Sequence, residues 1–90
     1  MRLDLFLKWS RVIPRRTLAR ATCDAGRVTI NGEVARAARE VKVDDIIRVT
    51  LSARLMCLRV RSIPRQSPSK ALASEMIEIL GHRRREDTDT

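Results

Sequence analysis

The stretch RRTLARATCDAGRVTINGEV, residues 15–34, decides the fold. Between Arg15 and Ala25, the small and apolar residues Leu18, Ala21, Thr22 and Ala25 recur at three- and four-residue steps, which stacks them on one face of a helix. Arg15, Arg16 and Arg20 fall off that face. Gly26 follows directly, where a helix commonly ends in a left-handed residue that glycine adopts at little steric cost. Val28 and Ile30 then alternate with Arg27 and Thr29, the period of a strand. Asn31-Gly32 supplies the two positive-φ positions of a type I′ hairpin turn, and Val34 and Ala35 begin the return strand.

Working toward the N-terminus, residues 3–13 form a second helical pattern, with Leu3, Phe6, Leu7 and Ser10 on one face and Leu5, Trp9 and Val12 broadening it. Asp4 sits near the start, where a negative charge favours the helix dipole. Pro14 cannot continue a helix but fits the first turn of the next, so the two helices meet at a corner between Val12 and Arg15. That corner gathers Arg2, Lys8 and Arg11 with Arg15, Arg16 and Arg20 into one basic patch.

Toward the C-terminus, residues 35–45 lack sustained periodicity and make an irregular connection in which Val41 and Val43 dip toward the core. Ile47, Val49 and Leu51 alternate with Ile46, Arg48 and Thr50, and Met56, Leu58 and Val60 alternate with Cys57, Arg59 and Arg61. These are an antiparallel pair joined around Ser52 to Arg54, with Arg48, Arg59 and Arg61 on a second basic face. After the polar stretch PRQSPS, residues 64–69, Ser67-Pro68 has the pattern of a helix cap followed by a first-turn proline. Leu72, Met76, Ile79 and Leu80 then share one face of a third helix that Gly81 ends. The remaining HRRREDTDT is polar and has no apolar anchor, as expected of a mobile tail.

Charge narrows the function. Nineteen Lys and Arg against eleven Asp and Glu leave a net charge of +8, the footprint of a polyanion-binding protein. Residues 1–27 carry seven basic and two acidic side chains, whereas residues 66–90 carry four and five. Affinity for nucleic acid is therefore expected in the first two-thirds of the chain. One Trp, one Phe and no Tyr argue against a module that stacks single-stranded bases on an aromatic sheet. Binding has to rest on charge and shape.

Other classes are disfavoured. No apolar run approaches the roughly 20 residues of a membrane span, and the N-terminus has no signal-peptide pattern, so a cytoplasmic location is expected. Cys23 and Cys57 lack the paired spacing of a zinc or redox site and are expected to be buried free thiols. His82, the one histidine, falls at a helix end without a nucleophile beside it. Asp44 and Asp45 are adjacent and would point apart, which suits a turn better than a shared metal. A non-enzymatic protein without metal or cofactor is the expectation.

The segments MRLDLFLKWSR, RRTLARATCDAGRVTINGEVA and VKVDDIIRV resemble the RNA-binding domain named for small-subunit ribosomal protein four, the S4 domain, over roughly residues 1–51. The resemblance implies an α+β fold in which two N-terminal helices pack on a small, bent antiparallel sheet, with a C-terminal helix and a mobile tail added. It divides the chain into an S4-type domain at residues 1–65, a C-terminal helix at 66–81 and a polar tail at 82–90. A free-standing copy that opens M-R-L-D and contains K-x-S-R-x-I-x-R-R-T-L-A is similar to the bacterial quality-control factors of the large ribosomal subunit and to a fifteen-kilodalton heat-shock relative.

That similarity implies binding to large-subunit ribosomal RNA and peptidyl-tRNA; a monomer is expected. It would steady the P-site tRNA while a partner tails the stalled nascent chain. It implies that Arg2 and Arg16 contact RNA where ribosomal RNA meets transfer RNA, with Lys8, Arg11, Arg15 and Arg20 as phosphate contacts beside them. Asp44 departs from the pattern, which usually has glycine there. A general ribosome-assembly or heat-shock RNA-binding protein is the first alternative. A DNA-binding regulator is the second, disfavoured because the basic helix offers no Asn or Gln to read base edges.

Overall fold

The computed structural model describes residues 1–84. Two helices, α1 (Leu3–Trp9) and α2 (Arg16–Asp24), lead into strands β1 (Val28–Ile30) and β2 (Glu33–Val34), then β3 (Ile46–Thr50) and β4 (Arg54–Val60). A short α3 (Lys70–Ala73) runs into a 3₁₀ turn (Ser74–Met76) and a final strand, β5 (Ile77–Arg84). The strands form one antiparallel sheet in the order β2-β1-β3-β4-β5. The α+β expectation of two helices on a small antiparallel sheet is met.

The hairpin forms where the Asn-Gly pair demands it. Ile30 faces Glu33, and the two residues between them, Asn31 and Gly32, have φ of 52° and 87°. The Asn31 side chain then ties the turn to the start of β3: its oxygen accepts from the Ile46 N–H at 2.9 Å and its amide donates to Asp45 at 3.1 Å. The other Asp45 oxygen accepts from the Lys42 N–H at 2.8 Å, closing the loop that precedes β3. Within that loop Asp44 has φ 76°, the left-handed conformation that glycine would take more easily.

One core lies between the helices and the inner face of the sheet. Leu3, Phe6, Leu7 and Cys23 meet Val28, Ile30, Ile47, Val49, Leu58 and Val60, all at most 1% exposed. The irregular segment belongs to this core through Ala35, Ala37 and Val41, whereas Val43 is exposed. Its backbone also fastens the N-terminus: the Leu3 N–H donates to the Arg39 carbonyl and the Val41 N–H to the Met1 carbonyl, each at 2.8 Å.

Three local expectations are corrected. The buried stripe of α2 is Ala19, Thr22 and Cys23, so Leu18, Ala21 and Ala25 lie outside it. That stripe is made of small residues and a thiol, and Thr22 avoids an orphaned hydroxyl by donating to the Leu18 carbonyl at 2.7 Å. The helix expected at 66–81 is helical only from Lys70 to Met76, and its cap is Ser69, which accepts from the Leu72 N–H at 3.3 Å, in place of Ser67. From Ile77 the chain becomes a strand, and Ile79 and Leu80 are about half exposed while Met76 is buried.

The physical reason for that strand is the edge of β4. Without β5 the row of N–H and C=O groups on that edge would be open, and Ile77, Glu78 and Ile79 have the alternating, β-branched character that completes it. A bulge at Leu80 lets Cys57 face Gly81 while Leu58 faces Ile79. His82 to Arg84 therefore end a strand where a tail was expected, and the rest of the expected tail lies outside the described residues.

Candidate nucleic-acid interface

The site is built around a carboxylate. Asp4 occupies the first turn of α1, three residues before Leu7, which turns it toward the protein interior, where it is 1% exposed. Arg2, the residue that caps α1, donates through Nε to Asp4 Oδ1 at 3.1 Å, with a longer bond from Nη2 to Oδ2 at 3.4 Å. Arg16, the first residue of α2, donates through Nε to Asp4 Oδ2 at 3.4 Å. The Leu5 N–H adds a further donor at 2.8 Å.

The electrostatics follow from those donors. Burial pushes the Asp4 carboxyl up, but the Arg2 hydrogen bond, the Leu5 N–H and the charges of Arg16 and Arg2 outweigh it and hold its pKa below the ordinary carboxylate value. Asp4 is thus ionised throughout the neutral range. Both guanidinium side chains remain about half exposed, at 47%. Because each is held chiefly through Nε, terminal N–H groups are left over to meet an incoming anion, and a guanidinium fork matches a phosphate.

The remaining predicted residues do not join this pair on Asp4. Arg15 is the extended residue before α2, with no side-chain cap and no acid in the first turn of that helix. Arg15 and Arg16 therefore stand at the positive end of the helix dipole, where Arg16 has the Asp4 carboxylate beside it and no acid of the same turn offsets Arg15. Lys8 is exposed in the last turn of α1. Arg11 is exposed at the corner between the helices with φ 64°, a conformation a bulky side chain rarely takes. Arg20 lies 3.9 Å from Asp24, one helical turn on, and is partly neutralised.

Asp4 is the residue that sequence reasoning assigned only to the dipole. The available signal was its place on the stripe of Leu3, Phe6, Leu7 and Ser10, where an acid has to find positive partners. On the second basic face, Arg59 is held by Glu78 at 2.7 Å, Arg48 is exposed on β3, and Arg61 lies past the end of β4. Cys23 is fully buried and its thiol is pushed up to about 12 by burial, then by Asp4 and Asp24. Cys57 is half-buried, in place of the buried site expected. Among the described residues no three His, Cys, Asp or Glu side chains are grouped to hold a metal, and no helix is long and apolar enough to cross a membrane.

The S4 domain pattern matches residues 1–47, the two helices, the hairpin and the loop to the start of β3. Over most of its length the chain is also similar to proteins named RQC P-site tRNA stabilizing factor. It is 42% identical to that of Bacillus subtilis over 89% of this chain and 92% of the relative. It is 37% identical to that of Streptococcus pneumoniae over 97% and 98%. In three dimensions it resembles heat shock protein 15 of Vibrio cholerae, solved as a trimer, with a TM-score of 0.80 at 24% identity over 88% of this chain and 80% of that one. The last likeness concerns the fold.

Proposed function

The chain belongs to the S4 domain family of RQC P-site tRNA stabilizing factors, and from that premise we propose that it binds a large ribosomal subunit carrying peptidyl-tRNA and steadies the P-site tRNA during ribosome-associated quality control. The single observation that carries the placement of the site is the meeting of Arg2 and Arg16 on Asp4. Two guanidinium groups from two helices are fixed side by side before RNA arrives, so little side-chain freedom remains to be lost on binding. Their terminal nitrogens grip phosphates at the junction of ribosomal and transfer RNA. Lys8, Arg11 and Arg15 add phosphate contacts around them, and Arg20 contributes less because Asp24 competes for it.

On this reading the protein is cytoplasmic, acts as a monomer and performs no covalent chemistry. Its contribution is to hold the tRNA in place while a separate tailing factor extends the stalled chain. The test is co-sedimentation with large subunits that carry or lack peptidyl-tRNA, at low and physiological salt. Preference for the loaded subunit, reduced by Arg16→Ala, is the expected result. Equal binding to both that fades steeply with salt would replace it with a general assembly role.

A further inference from the structure

Both helices pack on the inner face of the sheet, which leaves the outer face uncovered. Across its middle run Thr29, Arg48, Cys57 and Gly81, neighbours on β1, β3, β4 and β5. Thr50, Leu55 and Arg83 form the adjoining row. Two hollows of about 570 and 560 Å³ adjoin here, sharing Arg48 and Thr50, the first reaching Arg27 and the second Arg83. Together they make one trough across the strands.

Its floor is open for a reason other than backbone geometry. Gly81 does not have positive φ, and a Cβ placed there would meet nothing closer than Cys57 Cβ at 4.0 Å. Neither conformation nor crowding demands glycine at that point, but any larger residue would fill the trough. The walls are basic: Arg27, Arg48 and Arg83 line it, and Glu78, the acid on this face of the strands, is engaged by Arg59 at 2.7 Å. Charge is what this face offers a polyanion, since stacked bases would need aromatic rings that it lacks.

We infer that this trough is a second RNA-binding surface, taking the sugar–phosphate backbone of an RNA segment distinct from the one gripped by Arg2 and Arg16. It rests on the RNA-binding role proposed for the helices and extends it: the helices and the outer sheet face lie on opposite sides of the core, so the protein would be clasped between two RNA elements.

The test uses the double variant Arg48→Ala/Arg83→Ala and large subunits carrying peptidyl-tRNA, with affinity measured over a range of salt. The log–log slope is expected to become shallower by roughly 1.4–1.8, about 0.7–0.9 for each phosphate that no longer meets an arginine, while Arg48→Lys/Arg83→Lys retains most of it. In parallel, Cys57 reports on the floor directly, because Cys23 is fully buried. Iodoacetamide should label Cys57 in the free protein and label it more slowly on the subunit. An unchanged slope overturns the inference. An unchanged slope with Cys57 protected does so too, since a protein would then cover the trough. If Arg16→Ala binds normally while the double variant does not, the helical site fails and the trough stands.

Discussion

The Nε groups of Arg2 and Arg16 meet on opposite oxygens of one buried carboxylate, donating at 3.1 and 3.4 Å to Asp4. Each arginine therefore has a structural partner as well as a proposed RNA contact. Replacing one leaves Asp4 with the other, so Arg2→Ala and Arg16→Ala are each expected to lower the melting temperature only slightly. The double variant strands a buried charge and should cost more than the sum of the singles, with a coupling of about 0.5–3 kcal/mol in a double-mutant cycle read by denaturant unfolding.

Asp4→Asn keeps the shape and removes the charge. Stability should fall by about 1–3 kcal/mol, and RNA affinity should fall with it because the two guanidinium groups then repel each other without a counter-charge. The pH dependence separates this role from simple packing. The folded-state pKa of Asp4 is lowered, so its stabilisation is present above the unfolded value, 3.8, and is lost as pH falls through the folded one. The melting temperature of the wild type should therefore drop through that acid window with one more titrating group than the Asn variant shows.

Arg11 and Asp44 both hold positive φ, 64° and 76°. Glycine at either position should relieve strain and stabilise the fold by about 0.5–1 kcal/mol, somewhat less at Asp44, because Asp tolerates this conformation better than Arg. The two variants should part company on RNA. Arg11→Gly is expected to weaken binding while raising the melting temperature, whereas Asp44→Gly should raise it without touching affinity. Salt-dependent binding curves beside thermal melts decide the matter.

A chain ending at Met76 removes β5 and opens the edge of β4. We expect loss of the cooperative unfolding transition or self-association, seen by size-exclusion chromatography, because Met56, Leu58 and Val60 lose the strand beside them.

The hairpin and both helices were legible because their signals are local: Asn31-Gly32 permits one turn type, and Pro14 and Gly26 bound α2 from either side. The C-terminal strand was not. Leu72, Met76, Ile79 and Leu80 fit a helical spacing, and what overrides it is the open edge of β4, a partner distant in sequence. The face of α2 was misassigned as well: Leu18 is the larger apolar residue, yet the helix buries Ala19, Thr22 and Cys23. Of the site, the arginines were visible as charge. The carboxylate that pairs two of them was hidden in plain view as a helix-start residue, because its partners come from either side of a chain corner.

On the proposed reading, a grip made of guanidinium groups oriented by one carboxylate would address a feature that every transfer RNA presents, its backbone. Nothing in the pair formed by Arg2 and Arg16 can tell one anticodon or amino-acid identity from another. If that pair is the contact, a factor built this way would serve a stall at any codon, and the choice of which ribosomes to act on would have to be made elsewhere.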